Sequence, residues 1–263
     1  MAAVAMGRDD RRMSVGRVFE RAFSAIRYNP LVIVGLSVLF GAVPAMAVQY
    51  VITQIPSYAF VITVGSLVLP GFVALFLVQW FFSLAIGVLV LGALTRPVLA
   101  AHEGRRARIG EALAALGATL FPLIVLGMLT GIATVIASTL LIVPGIIVYL
   151  LWAVAAPALA DERDGVFLAL SRSQELTEGA RWKTLAVVLI LVAISMVLTL
   201  LTGLLAVLVR SLLFGPNFEI WRLGLLGLLS TVVNVIWGTV QASLFVELRQ
   251  WKEGGPNLGE VFA

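Results

Sequence analysis

Three scarcities organise this sequence. It has no cysteine, which excludes structural disulfides, iron–sulfur clusters and thiolate metal sites. It has one histidine, His102, so no Ser–His or Cys–His nucleophile pair can be drawn, and no histidine-to-carboxylate spacing supports a metal centre. Beside Glu103 and Arg105, His102 reads as an interfacial residue. Charge is the third shortage: 12% of the residues are Asp, Glu, Lys or Arg, against about 25% in a soluble domain. Nor is there a phosphate-cradling glycine loop; the 24 glycines are scattered, as expected of residues that let helices approach closely. Gly35 and Gly41, or Gly224 and Gly227, are candidate packing sites of this kind. No catalytic residue, cofactor or metal is expected, and the chain does not read as an enzyme.

The hydrophobic content is 61%, with a mean hydropathy of +1.07. Charge is absent from residues 28–95, 112–160, 184–209 and 223–246. A membrane-crossing helix needs about 20 apolar residues, so these windows hold six spans, near 30–52, 68–95, 117–140, 142–160, 184–209 and 223–246. The runs are continuously apolar, not alternating, which excludes a membrane β-barrel. No apolar stretch of about 7–15 residues precedes the first charges, so no cleavable signal peptide is expected.

With six spans, Arg8, Arg11, Arg12, Arg17, Arg21 and Arg27 share a side with Arg96, Arg105, Arg106 and Arg108. The same side receives Arg163, Arg172, Arg181 and Lys183, and then Arg249 and Lys252. Only Arg210 and Arg222 fall opposite. The positive-inside rule makes the crowded side cytoplasmic. It also accounts for a pI near 10.0 without nucleic acid as a partner.

Short amphipathic patterns precede the odd-numbered spans. Ser14 can cap a helix in which Val15, Val18, Phe19, Ala22, Phe23 and Ile26 share one face, with Arg17, Arg21 and Arg27 on the other. Ile109, Ala112, Leu113 and Leu116 repeat the spacing before span three. Val166, Phe167, Ala169, Leu170 and Ser173 do so before span five, where Gly179 is a natural stop. Such segments are expected to lie in the interface, apolar face down. Leu69-Pro70-Gly71, Val143-Pro144-Gly145 and Gly215-Pro216 open the second span of each pair. The expected architecture is therefore all-α: six transmembrane helices as three hairpins, each preceded by a cytoplasmic interfacial helix. A flexible basic segment, 1–13, comes first, and the membrane domain 14–263 contains repeats near 14–104, 105–164 and 165–254.

Val143-Pro144-Gly145-Ile146, then Ala169-Leu170-Ser171-Arg172-Ser173-Gln174-Glu175-Leu176-Thr177-Glu178-Gly179, resemble the core motif of the glycerophosphoryl diester phosphodiesterase membrane-domain family. That family is bacterial and has related six-span inner-membrane proteins. The tail Glu247-Leu248-Arg249-Gln250-Trp251-Lys252-Glu253-Gly254 is similar to the family's ending. Gln174, and Phe245-Val246, depart from its usual aromatics. The resemblance covers roughly 14–263. It implies a membrane module, marks Pro144, Gly145, Ser173, Glu175, Gly179 and Arg249 as motif residues, and does not carry phosphodiesterase activity, which needs paired histidines.

Within the spans the polar residues are few. Gln79 lies in span two; Thr231, Asn234 and Gln241 share one face of span six with Gly238. They read either as interhelical hydrogen-bonding groups or as the lining of a polar groove. The expected function is a non-enzymatic module of the bacterial inner membrane that engages phospholipid, anionic lipid preferred, at the cytoplasmic leaflet and organises membrane or a partner membrane protein. Lipid contact is assigned to Arg17, Arg21, Arg27, Phe19 and Phe23. The alternative is a carrier or channel for a lipid or small neutral solute. Because the chain lacks cysteine, single cysteines report topology directly. With an impermeant thiol reagent added outside, a cysteine at residue 57 should label and one at 108 or 252 should not; the reverse pattern inverts the topology.

Overall fold

The computed structural model describes residues 13–54, 61–64, 67–212 and 218–253. Residues 1–12 of the basic segment expected at 1–13, the turn signal Gly215-Pro216 and the end of the tail lie outside the described residues. Six helices are long and apolar enough to cross a membrane, at Pro30–Thr53, Leu75–His102, Ile109–Thr139, Val143–Glu162, Arg181–Val209 and Trp221–Glu253.

The chain begins with α1 (Val15–Tyr28), ended by Asn29-Pro30. Span one is composite: α2 (Pro30–Ser37), a five-residue π segment (Val38–Ala42) and α3 (Val43–Thr53). Pro44 explains the π segment. A proline has no N–H and crowds the carbonyl four residues back, and widening the preceding turn relieves that clash. One departure from the all-α expectation follows, a short hairpin in which β1 (Val61–Val64) pairs antiparallel with β2 (Leu67–Pro70). Val61-Ile62-Thr63-Val64 is a wholly β-branched run, which favours extended backbone.

Span two is α4 (Gly71–His102), which carries Pro97 without breaking. The amphipathic pattern expected as a separate element before span three is instead the first turns of one continuous helix, α5 (Ile109–Leu140). Gly117 follows Leu116 directly and Pro122 lies five residues further on, yet the helix runs through both, so neither residue marks a boundary here. Span four is split into α6 (Ile142–Leu151) and α7 (Ala155–Glu162). Pro157 accounts for the split, because its ring and missing N–H disrupt the turn at residues 152–154. Ser173 of α8 (Val166–Thr177) repairs it: its hydroxyl donates to Leu151 O at 2.8 Å and accepts from Val154 N–H at 3.3 Å. Gly179, at φ +81°, ends α8 as expected. The chain closes with α9 (Arg181–Leu212) and α10 (Phe218–Glu253).

Two apolar cores hold these helices. In one, Ile33, Leu36, Leu94, Leu116, Leu123, Leu126 and Leu159 meet; in the other, Val18, Val187, Leu191, Leu244, Phe245 and Leu248. Small residues set the closest approaches. Gly127 and Gly131 of α5 lie against Val88 and Leu84 of α4, and Gly92 of α4 receives Leu123. Gly41 packs on Asn234 and Val90, and Gly227 on Met46, whereas Gly35 and Gly224 face open space. The packing assignment therefore holds for one glycine of each expected pair. Ser173→Ala would strand a buried N–H and a part-buried carbonyl at the span-four break, at a cost of about 2 kcal/mol. A dodecyl sulfate unfolding titration is expected to show that loss, and an unchanged midpoint would show that the hydroxyl does not hold the break.

Candidate functional site

The sequence motifs converge at one end of the bundle. Arg249 of α10 reaches Asp161 at the end of α7, Nη1 to Oδ2 at 2.8 Å, and Glu253 one turn on at 3.0 Å. Arg96 of α4 joins the same carboxylate at 3.7 Å and donates to the Asp161 carbonyl at 3.2 Å. Arg172 of α8 pairs with Glu162 at 3.1 Å, with Glu175 at 3.7 Å, and with Glu253. A Cβ at Gly179 would sit 3.1 Å from the Trp251 ring, so the α8 motif and the tail motif touch. Pro144 and Gly145 act elsewhere. Gly145 opens α6 directly against Ser138 of α5 and leaves no room for a side chain.

Beside this network lies a second ionic centre that the sequence reading placed in the tail. Helix α10 continues past residue 246, and Glu247 is only 4% exposed. Its Oε1 accepts from Arg17 Nε at 2.8 Å and from the Ser14 N–H at 3.3 Å. Its Oε2 lies 3.1 Å from Arg21 Nη1, and Arg21 Nη2 donates to Gln250 at 2.7 Å. One turn below, Ser243 Oγ sits 3.4 Å from His102 Nε2. His102, expected as an interfacial residue, thus also contacts α10.

Of the arginines expected at lipid, Arg17 and Arg21 are partly exposed and pair with Glu247, while Arg27 is exposed. The expected membrane-facing stripe of α1 also turns inward. Val18, Ala22 and Ala25 are buried and Phe19 packs on the core, leaving Phe23 at 52% exposure. In α8 the stripe rotates likewise, since Ala169, Leu170 and Ser173 are buried but Phe167 is 80% exposed. A chain in a bilayer meets apolar surroundings on both sides, so an apolar stripe by itself does not choose between protein and lipid. The signal that could have found Glu247 is its isolation, a lone acid at the end of an uncharged run.

Of the four polar-groove candidates, the structure unites two. A cavity of about 500 Å³ lies between α4, α5, α6–α7 and α10, and both Asn234 and Gln241 line it. Gln241 Nε2 donates to Tyr149 Oη at 3.2 Å. Thr231 instead donates to its own helix, at Gly227 O, and Gln79 pairs locally with Ser83; neither lines the cavity. Among the described residues, no three His, Asp or Glu side chains come together to share a metal ion.

No family model, curated protein or solved structure matches the chain. The geometry alone defines the roles of these residues. Replacing Glu247 with Ala leaves two arginines without their carboxylate. Breaking a buried pair costs about 3–5 kcal/mol, and the partial exposure of both arginines lowers the expected loss here to about 2 kcal/mol. Glu247→Gln, which keeps the shape and one acceptor, should fall between. Thermal unfolding in detergent checks the order, and equal midpoints for all three proteins would remove the pair from the stability of the fold.

Proposed function

We propose that this is a non-enzymatic integral membrane module of a bacterial cytoplasmic membrane, basic end toward the cytoplasm, that engages anionic phospholipid there and organises membrane or a partner membrane protein. The resemblance of its motifs to the glycerophosphoryl diester phosphodiesterase membrane-domain family belongs to the same proposal.

One observation carries the reading, the division of the arginines into two sets. Arg17, Arg21, Arg96, Arg172 and Arg249 are paired with carboxylates within the bundle. Arg27, Arg108, Arg163 and Arg181 are exposed on the connecting elements at the same end. Large apolar side chains stand out beside them: Phe23, Ile109, Phe167, Leu168 and Trp182, the last 84% exposed. Arg106 lies over the Tyr28 ring, 6.0 Å from its centroid. Aromatic and apolar groups interleaved with arginine suit the headgroup region, where rings enter the interface and cations meet lipid phosphate. Paired arginines have little charge left for lipid; the exposed set does.

The test uses the full chain in vesicles of mixed phosphatidylcholine and phosphatidylglycerol, with spin-labelled forms of each reporting the lipid held at the protein surface. Phosphatidylglycerol should be preferred, less so at high salt. Each basic residue near an anionic leaflet contributes about 1 kcal/mol, so the triple variant Arg27→Gln, Arg108→Gln, Arg181→Gln should lose most of the preference. Equal retention of both lipids by the wild-type protein would reject the reading.

A further inference from the structure

We propose that the cavity between α4, α5, α6–α7 and α10 is a binding site for a neutral glyceride-type lipid, one that carries a hydroxyl and ester carbonyls on an apolar body. The site is separate from the basic end and does not depend on the lipid preference proposed for it.

Size and access come first. At about 500 Å³ the cavity falls within the range of ligand pockets. It reaches the outside of the bundle at Ser83, Val135 and Ser138, which line it and are exposed. These residues lie on spans two and three, next to the exposed apolar side chains Phe82 and Ile136. The mouth therefore opens toward lipid on the flank of two spans, a route for a molecule already dissolved in the bilayer.

The lining sets the chemistry. No charged side chain is among its residues, so a phosphate or ammonium headgroup would enter without a counter-charge, which hydrocarbon surroundings penalise heavily. Most of the hydroxyls are already used: Thr130 and Thr134 donate to carbonyls of their own helix, and Ser83 to Gln79 O. Two buried polar atoms remain without partners, the acceptor Oε1 of Gln241 and the donor Nε1 of Trp152. Gln241 is itself only 4% exposed. Unpaired buried groups of this kind are costly. Water alone is a poor solution, since the space would hold on the order of 15 molecules at about 30 Å³ each and offers few free polar atoms to hold them. Both atoms are covered in this structure. A turn of each side chain toward the cavity it lines lets a hydroxyl donate to the Gln241 oxygen and an ester carbonyl accept from the Trp152 N–H, while acyl chains fill the rest against Leu84, Val88 and Leu126.

Three of the six tryptophans, Trp80, Trp152 and Trp237, line the cavity, and bromine quenches tryptophan at short range. The full chain is placed in phosphatidylcholine vesicles, and tryptophan emission is followed as diacylglycerol brominated on its acyl chains is added at a few mole per cent. Brominated phosphatidylcholine and brominated phosphatidylglycerol serve as comparisons. Diacylglycerol should give a saturable quenching component that the other two lack. Gln241→Leu should weaken that component about tenfold, the loss expected for one hydrogen bond to a buried acceptor. Gly87→Leu fills the cavity from a lining position where an added Cβ meets no neighbour within 4 Å, and should abolish it. Both variants are compared at matched helical content and monodispersity. Quenching equal for the three lipids, or a diacylglycerol component unchanged in Gly87→Leu, overturns the site. Stronger saturable quenching by phosphatidylglycerol, or loss in Gly87→Leu with none in Gln241→Leu, overturns the assignment of a neutral hydroxyl-bearing ligand.

Discussion

A carboxylate buried at the end of the last helix must have its charge answered, and in this protein the answer comes from the other end of the chain. Glu247 is held by Arg17 and Arg21, more than 200 residues away in sequence. Satisfying it draws α1 across the bundle. Once α1 is there, Val18 and Ala22 become part of the core formed by α9 and α10. The same pairing leaves the two arginines only partly exposed and gives α1 a structural role that its amphipathic pattern does not disclose.

The neighbouring network of Asp161, Arg249, Arg172, Glu162 and Glu253 works on the same principle with more members. It fixes the end of α7 to α8 and α10, and Ser173 anchors the break that Pro157 imposes within span four. The kink and the ionic cluster are thus two parts of one junction. A broken span leaves backbone groups that hydrocarbon cannot satisfy; the serine supplies the partners, and the ion pairs hold the serine's helix in place.

Away from this end the packing loosens. Buried residues crowd at Val90–Val98, Leu116–Leu126 and Val240–Leu248, while Phe76–Val78 and Met196–Leu208 are largely exposed. The cavity runs from the edge of the crowded segments, at Val90, Leu126 and Gln241, out to the exposed positions Ser83, Val135 and Ser138. The surface proposed for anionic lipid and the interior site proposed for a neutral one are thus lined by different residues.

Hydropathy determined the six spans, because crossing a bilayer is a property of length and composition. Local chemistry determined the stop at Gly179 and the end of α1 at Asn29-Pro30. Lys/Arg counting grouped the basic segments, and the contacts among α1, α4, α7, α8 and α10 bring the described part of that group to one end. Three other features were decided only in the tertiary structure. Whether the stripe at Ile109–Leu116 is a separate element depended on the absence of any break between it and span three. Which apolar face turns inward on α1 and α8 could not be read from hydropathy, since lipid and protein interior are equally apolar and only shape distinguishes them. The meeting of Glu247 with Arg17, or of Gln241 with Tyr149, depends on packing across 230 and 92 residues, a distance over which local sequence carries no record of its partners.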